Sequence, residues 1–174
     1  GAVSLAGSGT SYTVTVSAIT GDGTIAITIA AATASDLAGN AAPAATSATF
    51  TVDNSVPAPT ISTPSSSFSR TGPVTYTVTY TDINFSASTL AAANVTLHRT
   101  GSANGNITVT GTGNTRTITI SSITGNGTLG LSIAQGTASD LAGNLAPSAG
   151  PSTPFTVDDT VPTVTIGSPS STVA

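Results

Sequence analysis

From Val74 to Thr81 apolar and polar residues alternate without a break. Val74, Tyr76, Val78 and Tyr80 fall on one side, and Thr75, Thr77 and Thr79 on the other. A period of two is the mark of a strand with one face buried. Shorter runs of the same kind predict strands at 60–63, 95–99, 107–110, 115–121, 128–134 and 154–158. Their inward positions are Val95 and Leu97, Ile118 and Ile120, Leu129, Leu131 and Ile133, and Phe155 and Val157. The expected core also includes Tyr76, Tyr80 and Phe50. Gly, Asn, Pro and Ser separate the runs, as turns require. No long helical periodicity occurs; the segment 88–94, with Leu90-Ala91-Ala92-Ala93, is compatible with one helical turn.

The pattern occurs twice. Ile19-Thr20-Gly21-Asp22-Gly23-Thr24 returns as Ile123-Thr124-Gly125-Asn126-Gly127-Thr128. Ser35-Asp36-Leu37-Ala38-Gly39-Asn40 returns as Ser139-Asp140-Leu141-Ala142-Gly143-Asn144, and Phe50-Thr51-Val52-Asp53 as Phe155-Thr156-Val157-Asp158. A period of about 105 residues is too long for a helical solenoid and fits one seven-stranded sandwich of roughly 100 residues. The expected fold class is therefore all-β: tandem immunoglobulin-like β-sandwich domains of about seven antiparallel strands each. Residues 1–57 read as the C-terminal part of one repeat, 58–162 as a complete repeat, and 163–174 as the start of a third. The first part carries only counterparts of the last four strands, at 3–5, 12–17, 24–30 and 48–53. It offers Leu5, Val14, Val16, Ile25, Ile27, Ile29, Phe50 and Val52 to a core whose other strands it lacks. The chain is thus expected to be an internal window of a longer array, with other chains as the alternative source of those strands.

Composition supports a folded β protein. Thr is about a fifth of the chain, mean hydropathy is +0.29 and only 6% of residues are charged. β-branched residues suit a pleated, half-buried surface. The net charge of −4 is carried by Asp, with no Lys and no Glu, so there is no basic patch for nucleic acid. No apolar run is long enough to predict membrane insertion of this segment. Cys is absent, so no disulfide staples the fold.

The strings Ala34-Ser35-Asp36-Leu37-Ala38-Gly39-Asn40 and Phe50-Thr51-Val52-Asp53-Asn54-Ser55-Val56-Pro57, each present again about 105 residues on, carry a resemblance. The chain resembles the bacterial Ig-like tandem repeats of large surface and secreted proteins. There an Asp-x-x-Gly-Asn motif precedes a final strand ending in Val-Asp-x-Thr-x-Pro; Asn54-Ser55 departs slightly from that ending. The resemblance implies a stalk, adhesin or filament outside a bacterial cell, neighbouring repeats as partners, and calcium bound between domains.

An enzyme is not expected. The single His98 alternates outward from Leu97, Cys and Glu are absent, and no nucleophile-elbow motif surrounds a Ser. An adhesive module for glycans or a host surface would need exposed aromatics; Phe85, placed between two predicted strands, is the candidate. Asn84, Asn94, Asn106 and Asn126 fit the N-glycosylation pattern.

The carboxylates are the strongest chemical lead. Antiparallel topology places the loops holding Asp82, and Asp140 with Asn144, at the end where the chain enters the repeat. Asp53 and Asn54 lie in the entering linker, and Asp22 lies in a turn of the preceding repeat that faces the same junction. Converging like charges repel unless a cation neutralises them, and calcium takes about 6–8 oxygen ligands. Asp53, Asp82 and Asp140 are first candidates, with Asp22, Asn54 and Asn144 as auxiliaries. The alternative is that each Asp only caps a turn.

Overall fold

The computed structural model describes residues 1–171. Among these residues the chain is all-β, with one 3-10 turn (Ala92–Asn94) and no α-helix. The first 57 residues form β1 (Ala2–Ser8), β2 (Ser11–Ser17), β3 (Gly23–Ile25), β4 (Thr28–Ile29), β5 (Ala45–Thr46) and β6 (Phe50–Val52). They pair as three two-stranded antiparallel ladders, β1–β2, β3–β6 and β4–β5.

The remainder forms β7 (Ala58–Ile61), β8 (Phe68–Ser69), β9 (Val74–Thr81), β10 (Phe85–Ser88), β11 (Val95–Arg99), β12 (Asn104–Thr110), β13 (Thr115–Thr124), β14 (Gly127–Ile133), β15 (Ala138–Asp140) and β16 (Phe155–Val157). One four-stranded sheet runs β12-β13-β9-β7 and the other β11-β14-β16-β8; β10 and β15 make a separate short ladder. All pairings are antiparallel except β8 with β16. Both four-stranded sheets contribute side chains to one core, an arrangement consistent with a β-sandwich.

The core follows the alternation. Val74, Tyr76, Val78 and Tyr80 of β9 are buried, as are Ile118 and Ile120 of β13, Leu129, Leu131 and Ile133 of β14, and Phe155 and Val157 of β16. Full burial of a large apolar side chain is worth about 1.5–3 kcal/mol. The Tyr hydroxyls keep partners inside: Tyr76 donates to the Thr153 carbonyl at 2.8 Å, and Tyr80 shares a 2.7 Å bond with the Thr137 hydroxyl. Leu97 is only half-buried. In β13 the alternation skips from Ile120 to Ile123, because the pairing with β12 shifts by one residue and Ser122 adopts φ 51°.

Four expectations change. Strands β8, β10 and β15 are additional; they are short and rich in Ser and Ala, so no apolar alternation announces them. Phe85 is not a loop aromatic: it opens β10, is half-buried, and stacks on Tyr80 with ring centroids 6.2 Å apart. Phe50 is 44% exposed rather than core. Residues 163–171 form no strand and are exposed, while 172–174 lie outside the described residues.

The two copies of the repeated phrases share several pairings, although the expected strand 24–30 is split into β3 and β4 where β14 is continuous. Leu5 faces Val14 as Val109 faces Ile118, and Ile25 faces Phe50 as Leu129 faces Phe155. Ala18, the counterpart of Ser122, shares its φ of 51°, an unusual value for a residue with a side chain.

Candidate functional site

Three segments meet where the chain enters β7. Asp53 follows β6, Asp82 follows β9, and Asp140 ends β15. Each offers a carboxylate oxygen, and the three oxygens lie within 4.8 Å of one another. Asp140 is buried; Asp53 and Asp82 are half-buried.

Amide donors hold the cluster. Asn84 Nδ2 donates to Asp53 Oδ2 at 2.7 Å, and the Asn84 backbone N–H donates to Asp82 Oδ1 at 2.7 Å. Asn144 Nδ2 donates to Asp140 Oδ2 at 2.7 Å and to the Asp53 carbonyl at 2.9 Å, and its backbone N–H donates to Asp140 Oδ1 at 2.8 Å. The Leu141 N–H donates to the Asn84 carbonyl at 2.8 Å, joining the two loops. A shallow cavity of about 270 Å³ opens beside them, lined by Thr51, Asp53, Asn84, Leu141 and Ala142.

Burial acts to raise the Asp140 pKa. The Asn144 side chain and the backbone amides of Asn144, Gly143 and Ala142 together outweigh it and hold the carboxyl below its ordinary range. No arginine joins the cluster; the one ion pair among the described residues is Arg70 Nε to Asp159 Oδ1 at 3.1 Å. Three converging carboxylates with only neutral donors suit a hard cation with oxygen ligands. Asp53, Asp82 and Asp140 therefore fit calcium in donor chemistry.

Of the six residues expected here, the structure brings these three together and uses Asn144 as the brace. Asp22 and Asn54 form a different contact. Asp22 Oδ1 accepts the Asn54 N–H at 2.6 Å, and Asp22 Oδ2 accepts the Ser55 hydroxyl at 2.8 Å. The Asn54 N–H chiefly, then the Ser55 hydroxyl, lower the Asp22 pKa against a smaller opposing effect of burial. Asn126 repeats this role, its Oδ1 accepting the Asp159 N–H at 2.8 Å and the Thr160 hydroxyl at 3.3 Å. The exchange of Asp22-Asn54 for Asn126-Asp159 thus swaps charge between two residues that touch.

Turn capping is real as well. Asp53 Oδ1 takes the Ser55 N–H at 3.0 Å, and Asp158 Oδ1 takes the Thr160 N–H at 2.9 Å. Sequence reasoning missed Asn84 as a structural donor. Its signal was the Asp82-x-Asn84 spacing of an Asx turn. His98 is exposed, with Nε2 at 2.7 Å from the Ser132 hydroxyl; among the described residues no carboxylate bonds the ring.

Compared with known proteins, the chain matches no family model, no curated protein and no solved structure.

Proposed function

We propose that the chain is a structural module of tandem Ig-like repeats in an extracellular bacterial surface protein or filament, serving as spacer, stalk or fibre-building unit without catalysis. The sheet orders β12-β13-β9-β7 and β11-β14-β16-β8 support the Ig-like reading, since that fold divides its strands in this way. The matching registers of the two copies support the tandem reading. The observation that carries the function is the junction: Asp53, in the linker, is tied to two loops of the following unit by Asn84 and Asn144. Pro57 is buried and Pro59 half-buried in the same segment, and their fixed φ limits bending. A joint of this kind fixes the direction of one unit against the next.

Calcium at Asp53, Asp82 and Asp140 completes the proposal. The ion would neutralise the three carboxylates and stabilise the docked state by mass action. No carboxylate of this set is asked to move a proton. The test is X-ray scattering and calorimetry on the 174-residue chain, with calcium and with chelator. The expected outcome is millimolar or tighter binding and a narrower distribution of shapes with calcium, both lost in Asp82→Asn. Identical scattering curves and no heat of binding would leave turn capping as the whole role of these residues.

A further inference from the structure

The two four-stranded sheets end in four edge strands, β7 and β12 on one sheet and β8 and β11 on the other. An edge invites pairing with another chain unless shortness, charge or proline blunts it. β8 has two residues, β7 carries Pro59, and β11 carries His98 and Arg99. β12 has none of these guards. It is seven residues long, Asn104–Thr110, and no charged residue occurs from Thr100 to Thr115. Its inward side chains are also incompletely covered. Ile107 and Val109 are half-buried, whereas Ile120 and Ile118 opposite them are fully buried.

The neighbouring ladders show which main-chain groups of β12 are free. The Tyr80 N–H donates to the Asn114 carbonyl at 2.9 Å, and the Ser62 N–H to the Thr77 carbonyl at 2.9 Å. Along a strand, successive residues turn their main-chain groups to opposite neighbours. The even-numbered residues of β9 therefore face β13, and the odd-numbered ones face β7. Val78, Tyr76 and Val74 stand opposite Arg116, Ile118 and Ile120, so Thr117, Thr119 and Ser121 turn to β12. Their partners there are Thr110, Thr108 and Asn106. The N–H and C=O groups of Ile107 and Val109 thus point away from the sheet, along its open edge.

We propose that β12 is a lateral docking edge for a second copy of this chain, β12 against β12, antiparallel, about a two-fold axis at Thr108. Ile107 of one copy then exchanges main-chain bonds with Val109 of the other, and Val109 with Ile107. On the outer face Thr108 meets its own copy across the axis, and Asn106 meets Thr110. The strand is self-complementary in this register: apolar side chains meet on the inner face, neutral polar ones on the outer. No like charges stand opposite each other, and Thr–Thr is a favourable cross-strand pair. One patch serves both copies, the isologous contact that closes as a dimer. The register shift between Asn104 and Asn106 bends the start of the strand, which centres the pairing on 107–109. Ile107 and Val109 gain the cover that an edge position denies them. Such a contact goes beyond spacing along one chain, because it holds two molecules side by side.

The 174-residue chain has no Cys, so a single introduced cysteine reports the contact. Opposite residues of a non-hydrogen-bonded antiparallel pair have Cα atoms about 4.5 Å apart, within reach of a disulfide. Thr108→Cys should therefore oxidise to a covalent dimer at least about 10-fold faster than Thr96→Cys, at an exposed site on the β11 edge, because pairing raises the effective concentration of the thiols. Hydrogen exchange gives a second readout. The Ile107 and Val109 amides should exchange fast in dilute protein and slow down as concentration rises, while the Ile118 amide stays slow throughout. Thr108→Lys and Thr108→Asp should each keep those two amides fast at every concentration. An equimolar mixture of the two variants should restore protection, since like charges directly opposite repel and unlike charges attract. Exchange at Ile107 and Val109 that ignores concentration in the parent overturns the proposal. So does equal cross-linking at Thr108→Cys and Thr96→Cys. Protection that persists in Thr108→Lys, or that falls on Val95 and Leu97 instead, assigns association to another surface and also overturns it.

Discussion

Asp36 and Asn40 show how much a single turn motif can do. Asp36 Oδ1 accepts the N–H groups of Ala38 and Asn40, each at 2.9 Å, and Asp36 Oδ2 accepts Asn40 Nδ2 at 2.9 Å. The Asn40 side chain, followed by its backbone N–H, holds the Asp36 pKa low, against a smaller opposing effect of burial. A carboxyl lowered on folding stabilises the turn above its unfolded pKa of about 3.9. That contribution is lost as pH falls through the lower folded value. In Asn40→Ala, Asp36 should titrate closer to 3.9 by NMR, and the turn should loosen at a higher pH than in the parent. An unchanged titration would remove Asn40 as the cause. The motif Asp-x-x-x-Asn was visible in the sequence as a repeated phrase. Its outcome was not: Asp36 stays in an exposed turn, whereas Asp140, which takes the same two bonds from Asn144, is buried beside Asp53 and Asp82. The difference lies in the partner segment, which local sequence does not encode.

At the scale of elements, two strands with regular alternation were legible to the residue, while the expected strands at 60–63, 128–134 and 154–158 shift by one or two residues to β7, β14 and β16. The structure has β9 at 74–81 and β11 at 95–99, as the pattern requires. β12 begins at Asn104 and β13 runs on to Thr124, beyond the expected limits, because the bulge at Ser122 interrupts the period without ending the strand. β8, β10 and β15 escaped notice because they are short and carry no run of alternating large apolar residues, although Ala138 and Asp140 of β15 are buried. β6 and β16 share the sequence Phe-Thr-Val and differ in cover, which gives a direct comparison. Phe155→Ala should destabilise β16 and its core by about 3–5 kcal/mol in a urea titration. Phe50→Ala should cost under about 1 kcal/mol in the same chain, as at other surface positions. Equal losses would mean that β6 is covered as β16 is.

For the whole molecule, the direction of β8 has a mechanical meaning. β8 and β16 run parallel, joined by the Thr156 N–H to the Ser67 carbonyl at 2.9 Å and the Asp158 N–H to the Ser69 carbonyl at 3.2 Å. β8 lies near the start of residues 58–157 and β16 at their end. Tension applied to the two ends therefore slides these strands past each other along their length. The bonds of the ladder then share the load at once, where an antiparallel pair pulled from one end would open bond by bond. The Asp158→Pro substitution deletes the donor of one bond of this ladder and so lowers the number of bonds that resist sliding. In single-molecule stretching its peak unfolding force should fall well below that of Asp158→Ala, which keeps the N–H. Equal forces would place the mechanical barrier elsewhere. If the force falls as expected, a two-residue strand, Phe68–Ser69, that no alternation announces is the clamp that resists stretching.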